Sequence, residues 1–378
     1  MKKICILTTV HKSNDVRIFY KEAVSLSKAG FQVVLLAHDD AGDRMERGVQ
    51  IKAIGARPKR KSDRLPSLFK IYKMALGERA DAYHFHDPEL LPIGLLLKMR
   101  TRRPVIYDSH ENYSATVFAR EWIPDDLKSW VSFAVDKVEV FISRRLTVVI
   151  TVVKDQDQRF RRAHCKTLPV YNYPILEFFP DPVKPWENRP IHVGYVGGLS
   201  VARGIRTLLN IAKRIRGIIP DFRMLLIGPF SDAYVEKEVF EQIRRDGLKK
   251  TIIYDGALPS ESIGQRLQQV KLGLIPFEKN PKFEKMFIPT KLLEYMASGM
   301  PIIASDFPSN RRFVEKYSLG KLVPPGDVDA FVDAILNQLD NPEDSIQISH
   351  RGVEIVRKNY QWENEAKKLI HFYQKLLN

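Results

Sequence analysis

Strand and helix signals alternate along nearly the whole of this 378-residue chain, and no other feature limits its fold so tightly. Ile4–Val10 reads as a buried strand, Phe19–Ala29 as an amphipathic helix closed by Gly30, and Gln32–Ala37 as a second strand. Further strands are expected at Ala82–His86, Pro104–Tyr107 and Thr147–Val152, then at His192–Val196, Met224–Ile227, Ile252–Tyr254, Leu272–Ile275 and Pro301–Ala304. A helix from about Ile205 to Gly217 follows Gly197-Gly198. Such βαβ repetition implies parallel sheets wrapped by helices. Between Asn172 and Asn188 the pattern gives way to prolines 174, 180, 182 and 185, which reads as a linker. The length suits two domains. The expectation is an α/β chain of two Rossmann-like, doubly wound domains facing across a cleft, spanning 1–180 and 181–361, with residues 362–378 as a terminal helix. Ligands of such sheets sit beyond the carboxyl ends of the strands.

One segment carries recognisable chemistry. In Ile288–Ile303 a proline, Pro289, opens a helix where its missing N–H costs nothing, and Gly299 closes it before a buried strand. The free amides and dipole at such a helix start attract an anion. Thr290 and Lys291 add a hydroxyl and a cation, and Glu294, one turn on, is placed to accept two ribose hydroxyls. Phosphate cradle plus ribose acceptor reads as a nucleotide site. An ordinary buried helix with a glycine C-cap fits the same residues taken alone.

The segment resembles the donor-site motif of retaining GT-B glycosyltransferases of family 4, the group 1 glycosyl transferases. Their pattern is a Glu, seven residues, a second Glu, an Ala-rich turn, Gly and Pro-Val. Here the second acid is Glu294, followed by Met296-Ala297-Ser298-Gly299-Met300-Pro301, and Met286 stands where the first acid belongs. The resemblance assigns that acid to the sugar hydroxyls, so Glu284 or Glu278 would have to substitute. Gly197–Ile205 is similar to the family's phosphate loop, with Gly198 in place of the usual Arg and Arg203 in place of the usual Lys, so Lys291 takes a larger share of the diphosphate. Gly228-Pro229 resembles the next glycine loop, and Gly256-Ala257-Leu258-Pro259 the segment that reads the base, with Leu258 against its ring. His110, just past a strand end, stands where relatives contact the donor sugar near the reacting carbon. His11–Arg17 resembles an Asp-Val-Arg-Ile variant found among surface-polysaccharide enzymes. It implies an acceptor contact or a helix cap for Asp15 and a diphosphate contact for Arg17. His86 and Asp87, in His84–Glu89, read as lining on the acceptor side rather than as metal ligands. The Trp362–Leu377 helix resembles the terminal helix that crosses back onto the N-terminal domain.

The resemblance implies a retaining, metal-independent transferase moving a sugar from a nucleotide-diphosphate sugar, with UDP favoured, to a glycan or lipid-linked acceptor. His110, Arg203 and Lys291 would be catalytic, and no cofactor is implied. Asp155-Gln156-Asp157 matches a metal signature of the other large glycosyltransferase fold, but it falls at the start of a helix, where residues two apart do not face each other. Two cysteines, Cys5 and Cys165, argue for a reducing compartment. The apolar run after Met1-Lys2-Lys3 is too short for a signal peptide, and none approaches a membrane span, so a cytoplasmic location is expected. Residues 1–180 hold 31 Lys and Arg against 21 Asp and Glu, which is +10 of the chain's +15. Arg57, Lys59, Arg60, Lys61 and Arg64 lead into Leu65, Leu68, Phe69, Tyr72 and Leu76, and Lys98, Arg100, Arg102 and Arg103 form a second group. Such basic amphipathic stretches suit an anionic membrane surface as well as plain solvation. No nucleic-acid-binding signature accompanies the charge. The competing readings are a basic, non-catalytic scaffold for lipid or nucleic acid, and a GT-B nucleotide-sugar epimerase or phosphorylase.

Overall fold

The computed structural model describes residues 1–56, 64–110, 117, 123–280, 283 and 290–378. It resolves into two compact units, Met1–Asn172 with Trp362–Asn378, and Tyr173–Gln361. Residues 173–180, read from sequence as the end of the first domain, group with the second unit. Tyr173, Leu176 and Phe178 pack against that unit's apolar core, which draws the segment over.

The first unit is an eight-stranded sheet. Its strands are β1 (Lys3–Lys12), β2 (Gln32–His38), β3 (Arg44–Glu46), β4 (Val49–Ala53), β5 (Ala82–Phe85), β6 (Val105–Ser109), β7 (Val148–Thr151) and β8 (Thr167–Pro169). Their order is β3-β4-β2-β1-β5-β6-β7-β8, parallel throughout except for the antiparallel pair β3–β4. Sequence pattern alone misses that hairpin. Its two-residue turn needs positive φ at both positions, and Arg47 (φ 48°) and Gly48 (φ 80°) supply it without the usual Asn or Asp signal. The helix after β1 begins as a wide π-type segment, Val16–Ala23, before tightening over Val24–Lys28. The i→i+5 bonding of a π-type turn brings Arg17 and Glu22 onto one face, with an Arg17 guanidinium nitrogen 3.1 Å from Glu22 Oε1. The terminal helix Trp362–Leu377 packs within this unit. Its Trp362 indole donates to Ser25 Oγ at 3.0 Å, Glu365 accepts the Tyr171 N–H at 3.0 Å, and Leu369 and Tyr373 are fully buried.

The second unit is a six-stranded parallel sheet of β9 (Ile191–Val196), β10 (Met224–Ile227), β11 (Ile252–Tyr254), β12 (Val270–Ile275), β13 (Ile302–Ser305) and β14 (Gly320–Val323). The order is β11-β10-β9-β12-β13-β14, the doubly wound 3-2-1-4-5-6 arrangement. Strand alternation divides the core into two layers. Val193, Tyr195, Met224, Leu226, Leu272 and Leu274 face one, and Leu225, Ile227, Ile275, Ile302 and Ala304 face the other. The order reverses between β9 and β12 here, and between β1 and β5 in the first unit. In open sheets of this kind, ligands bind beyond the strand ends beside such a reversal. No helix among the described residues is long and apolar enough to cross a membrane.

Candidate active site

In the second unit the chain leaves β9 at Val196 and turns on Gly197 (φ 127°) and Gly198. A short turn, Val201–Arg203, follows, with Ser200 Oγ accepting the Arg203 N–H. Gly204 (φ 83°) then starts the helix Ile205–Arg216, where any Cβ would lie 1.8 Å from the Pro276 carbonyl. Two cations bend onto this turn. A Cβ on Gly197 would stand 3.1 Å from Lys291 Nζ and 3.5 Å from an Arg203 guanidinium nitrogen, and one on Gly198 would be 3.4 Å from the same nitrogen. The next loop is pressed against the first: a Cβ on Gly228 would meet the Gly197 carbonyl at 2.1 Å. Glycine is required here because backbone approaches backbone.

Lys291 is the unusual member. It is buried on the helix Thr290–Ala297, with Nζ 3.8 Å from the centre of the Tyr195 ring and 4.9 Å from that of Phe277. Its ammonium has no hydrogen-bond partner among the described residues. Burial, followed by the charge of Arg203, holds its pKa well below the ordinary lysine value, against the pull of Glu294. An unpartnered buried ammonium beside a guanidinium is costly, and an anion in the glycine turn relieves both cations at once. The supporting scaffold is rigid. Tyr295 Oη accepts the Val196 N–H and donates to the Leu274 carbonyl, both at 3.1 Å, tying the Lys291 helix to β9 and β12. Its ring lies where a Cβ on Gly273 would otherwise sit, 2.4 Å away.

The remaining donor-side expectations fall around this centre. Glu294 is half-buried one turn beyond Lys291, Thr290 is exposed at the helix start, and Leu258 is half-buried against the core. The Gly228 N–H donates to the Gly256 carbonyl at 2.7 Å, which joins the loop before Leu258 to the glycine turns. Glu278 accepts the Thr207 hydroxyl and faces Gly326. Pro289, Met286 and Glu284 lie outside the described residues.

In the first unit the structure revises the acceptor-side expectations. Arg17, expected at a diphosphate, is buried. It donates twice to Asp108 Oδ2, at 2.6 and 3.0 Å, and once to the Val170 carbonyl. Asp15 caps the π-type segment, accepting the N–H groups of Arg17 and Ile18, and its other oxygen lies 3.4 Å from His11. Asp87 is 1% exposed and braces the end of β1, accepting from the Thr8 hydroxyl and the N–H groups of Thr9 and Val10. His86 is fully buried rather than lining a surface, stacked on His84. His110 keeps an open edge, with its side chain 13% exposed, and His11 and Asp15 beside it are more open still. The His110 Nδ1 sits 3.4 Å from Asp108 and its Nε2 3.1 Å from Nε2 of His11.

His11, Asp108 and Glu22 were given no role from sequence. A signal for Asp108 existed, since it lies on β6 two residues before His110, which follows the strand's end. Glu22 gave none: a lone acid in an amphipathic helix reads as solvated. Burial lowers the pKa of His84 to about 4 and that of His86 well below the ordinary histidine range, so both are neutral at pH 7. Burial and the neighbouring Asp108 push Glu22 up, while Arg17 holds Asp108 well below the carboxylate range. Asp155 and Asp157 lie in the helix Lys154–Arg162, where Asp157 pairs with Arg161 at 2.7 Å.

Comparison with known proteins extends over most of the chain. Residues 190–341 match the family described as Glycosyl transferases group 1, and residues 17–170 the Glycosyl transferase 4-like domain. A Bacillus subtilis protein described as a teichuronic acid biosynthesis glycosyltransferase is 22% identical over 233 residues, 59% of this chain and 55% of its own. The phosphatidyl-myo-inositol mannosyltransferase of Mycobacterium leprae is 26% identical over 174 residues, 46% of this chain and 43% of its own. The chain thus spans about half the length of the curated relatives it matches. Among solved structures, sucrose-phosphate synthase from Thermosynechococcus elongatus superimposes with a TM-score of 0.76 at 19% identity, covering 100% of this chain and 99% of its own. The Anabaena HepE structure in complex with UDP-glucose does so at 0.73 and 17%, covering 99% and 100%. These likenesses establish the GT-B fold.

Proposed function

Starting from a chain that belongs to the group 1 glycosyltransferases, we propose that it transfers a sugar from a UDP-sugar to a glycan or lipid-linked acceptor in surface-polysaccharide synthesis. The observation that carries this reading is the pair of cations, Lys291 and Arg203, drawn onto the Gly197–Gly198 turn, with the Lys291 ammonium lacking a hydrogen-bond partner among the described residues. A diphosphate there meets two positive charges. As the bond from the anomeric carbon to the leaving phosphate oxygen breaks, that charge stabilises the departing UDP. Glu294 holds the ribose and Leu258 the base. His110, oriented through Nδ1 by Asp108, contacts the donor sugar. The new bond forms on the face that the phosphate leaves, and a phosphate oxygen takes the acceptor's hydroxyl proton. The diphosphate needs no divalent ion, because two protein cations already offset it.

Retention is tested without an acceptor. With the UDP-sugar that stabilises the protein most, slow hydrolysis followed by proton NMR is expected to release the α-anomer first. Initial release of the β-anomer would contradict the reading.

An anionic membrane surface as the acceptor's location is supported by the helix Asp125–Ser143. It exposes Leu127, Trp130, Phe133, Val138 and Phe141, with Lys137 5.0 Å over the Phe133 ring and Arg145 3.6 Å over that of Phe141. Aromatic groups with flanking cations suit a headgroup layer. The basic residues Arg57, Lys59, Arg60 and Lys61 lie outside the described residues. Sedimentation with phosphatidylglycerol vesicles should carry the parent protein down at low salt. The double change Trp130→Asp, Phe133→Asp should leave it in the supernatant with UDP binding intact; equal sedimentation of both would sink the membrane reading.

A further inference from the structure

Beneath the partly exposed His110, four ionisable side chains meet in the interior of the first unit. His84 and His86 come from the end of β5, Asp108 from β6, and Glu22 from the π-type segment. All four are fully buried. One ligand-type atom of each lies within 4.8 Å of the other three. We propose that Glu22, His84, His86 and Asp108 bind one divalent transition-metal ion of the zinc class. The site is structural, adjoins His110 through Asp108, and is distinct from the cation pair of the second unit.

Three observations lead there. First, the inward donor atoms lack hydrogen bonds. Nε2 of His84, Nε2 of His86 and Oε2 of Glu22 have none, and Oδ1 of Asp108 has only His110 Nδ1 at 3.4 Å, while Oε1 of Glu22 lies 3.1 Å from Arg17. Buried polar atoms are rarely left so, and a cluster of them calls for a common partner. Second, the spacing fits a metal better than hydrogen bonds. Glu22 Oε2 stands 3.5 Å from Nε2 of both His84 and His86. That is longer than a good N–H···O contact of about 2.7–3.2 Å. Tetrahedral ligands bonded at about 2.0–2.1 Å lie about 3.3 Å apart, near the two Glu22–histidine spacings, while the set of four lies within 4.8 Å. Third, the surroundings orient the ligands. His84 Nδ1 and the Tyr373 hydroxyl are hydrogen-bonded at 3.0 Å, which turns Nε2 inward. Arg17 occupies Asp108 Oδ2 and fixes that carboxylate.

Charge separates this from the simpler arrangement, a proton shared between the two carboxylates. Arg17 offsets one of them. One proton would neutralise the second carboxylate but bridge a single pair of lone pairs, leaving the histidine nitrogens unanswered. A cation meets all four donors together. Two imidazoles with two carboxylates suit zinc or a neighbouring first-row ion, whereas magnesium and calcium take oxygen ligands. An ion here would clamp β5, β6 and the π-type segment, and through Tyr373 the terminal helix.

The test is elemental analysis of the full chain purified without chelators, followed by exchange with cobalt(II). The expected result is one equivalent of zinc-class metal per chain and visible ligand-field bands when cobalt replaces it. A strong chelator should lower the melting midpoint, with recovery on adding zinc but not magnesium. Glu22→Gln and His86→Gln should each weaken uptake at least about tenfold, while His350→Gln, at an exposed site in the second unit, should not. The wild-type measurements decide the matter even if either variant folds poorly. A folded wild-type chain that takes up no stoichiometric zinc or cobalt would overturn the proposal in favour of the shared proton. Uptake that survives in both variants would overturn it as well. UDP-induced stabilisation, read in the same samples, reports on the second unit alone, so failure of the metal site and failure of the donor site are told apart.

Discussion

Replacing Lys291 with Met should leave the unliganded protein at least as stable as the parent while removing most of its affinity for UDP. The two effects have one cause. In the parent an ammonium is buried against Tyr195 and Phe277 without a hydrogen-bond partner, so the folded state bears a desolvation penalty that Met, of similar shape, does not. A bound diphosphate turns that penalty into a charge-assisted contact of about 1.5–3 kcal/mol, or roughly ten- to hundredfold in affinity. The pH dependence follows the same logic. The folded, unliganded state holds the Lys291 proton less tightly than the unfolded chain, because its pKa is lowered by burial and by Arg203. Stability of the unliganded protein should therefore rise with pH through the window between the lowered value and the ordinary one. UDP restores the proton, so UDP binding should take up a proton within that window and weaken as pH rises through it. Calorimetry in two buffers of different ionisation enthalpy reads the proton directly. A Met variant that binds UDP as the parent does would remove Lys291 from the site.

Ending the chain at Gln361 should prevent stable folding of the first unit. The deleted helix buries Trp362, Ala366, Leu369, Tyr373 and Leu377. At about 1.5–3 kcal/mol for each large apolar side chain, the loss is on the order of 6–12 kcal/mol, comparable with the whole net stability of a typical domain. It also strips partners from the Tyr171 N–H and His84 Nδ1. Limited proteolysis should cut the truncated protein within residues 1–172 and spare 173–361. Resistance equal to that of the full chain would contradict this.

The doubly wound architecture was legible because its strands are short apolar runs closed by glycines, and because parallel strands buried on both faces need no alternation to be seen. Elements lacking that signature escaped. The β3–β4 turn rests on Arg47, β8 has three residues, and β14 is a half-buried edge containing Lys321. The second unit's cation pair was visible for a local reason: glycines, Arg203 and the Lys291 helix each sit in a recognisable loop or helix start. In the first unit the same reasoning placed Arg17, His86 and Asp87 at a surface. Their burial depends on partners remote in sequence. Arg17 meets Asp108 across 91 positions, and Asp87 reaches back 78 to the Thr9 N–H. A charged residue in a loop reads as solvated until its counter-charge is brought to it, and only the strand order β1-β5-β6 does so.

The central claim is that the Gly197–Gly198 turn, Arg203 and Lys291 bind the diphosphate of a sugar nucleotide without a metal at that site. Thermal unfolding of the full chain with UDP, GDP, dTDP, CMP and ADP, each with added magnesium and with EDTA, tests it most directly. At about 100 times its dissociation constant a ligand stabilises by roughly 2.7 kcal/mol, a readily visible rise in midpoint. UDP should raise the midpoint by the same increment over its own ligand-free control in both conditions. An increment that vanishes in EDTA and returns with magnesium would contradict metal independence, and no increment from any nucleotide would contradict the donor site itself.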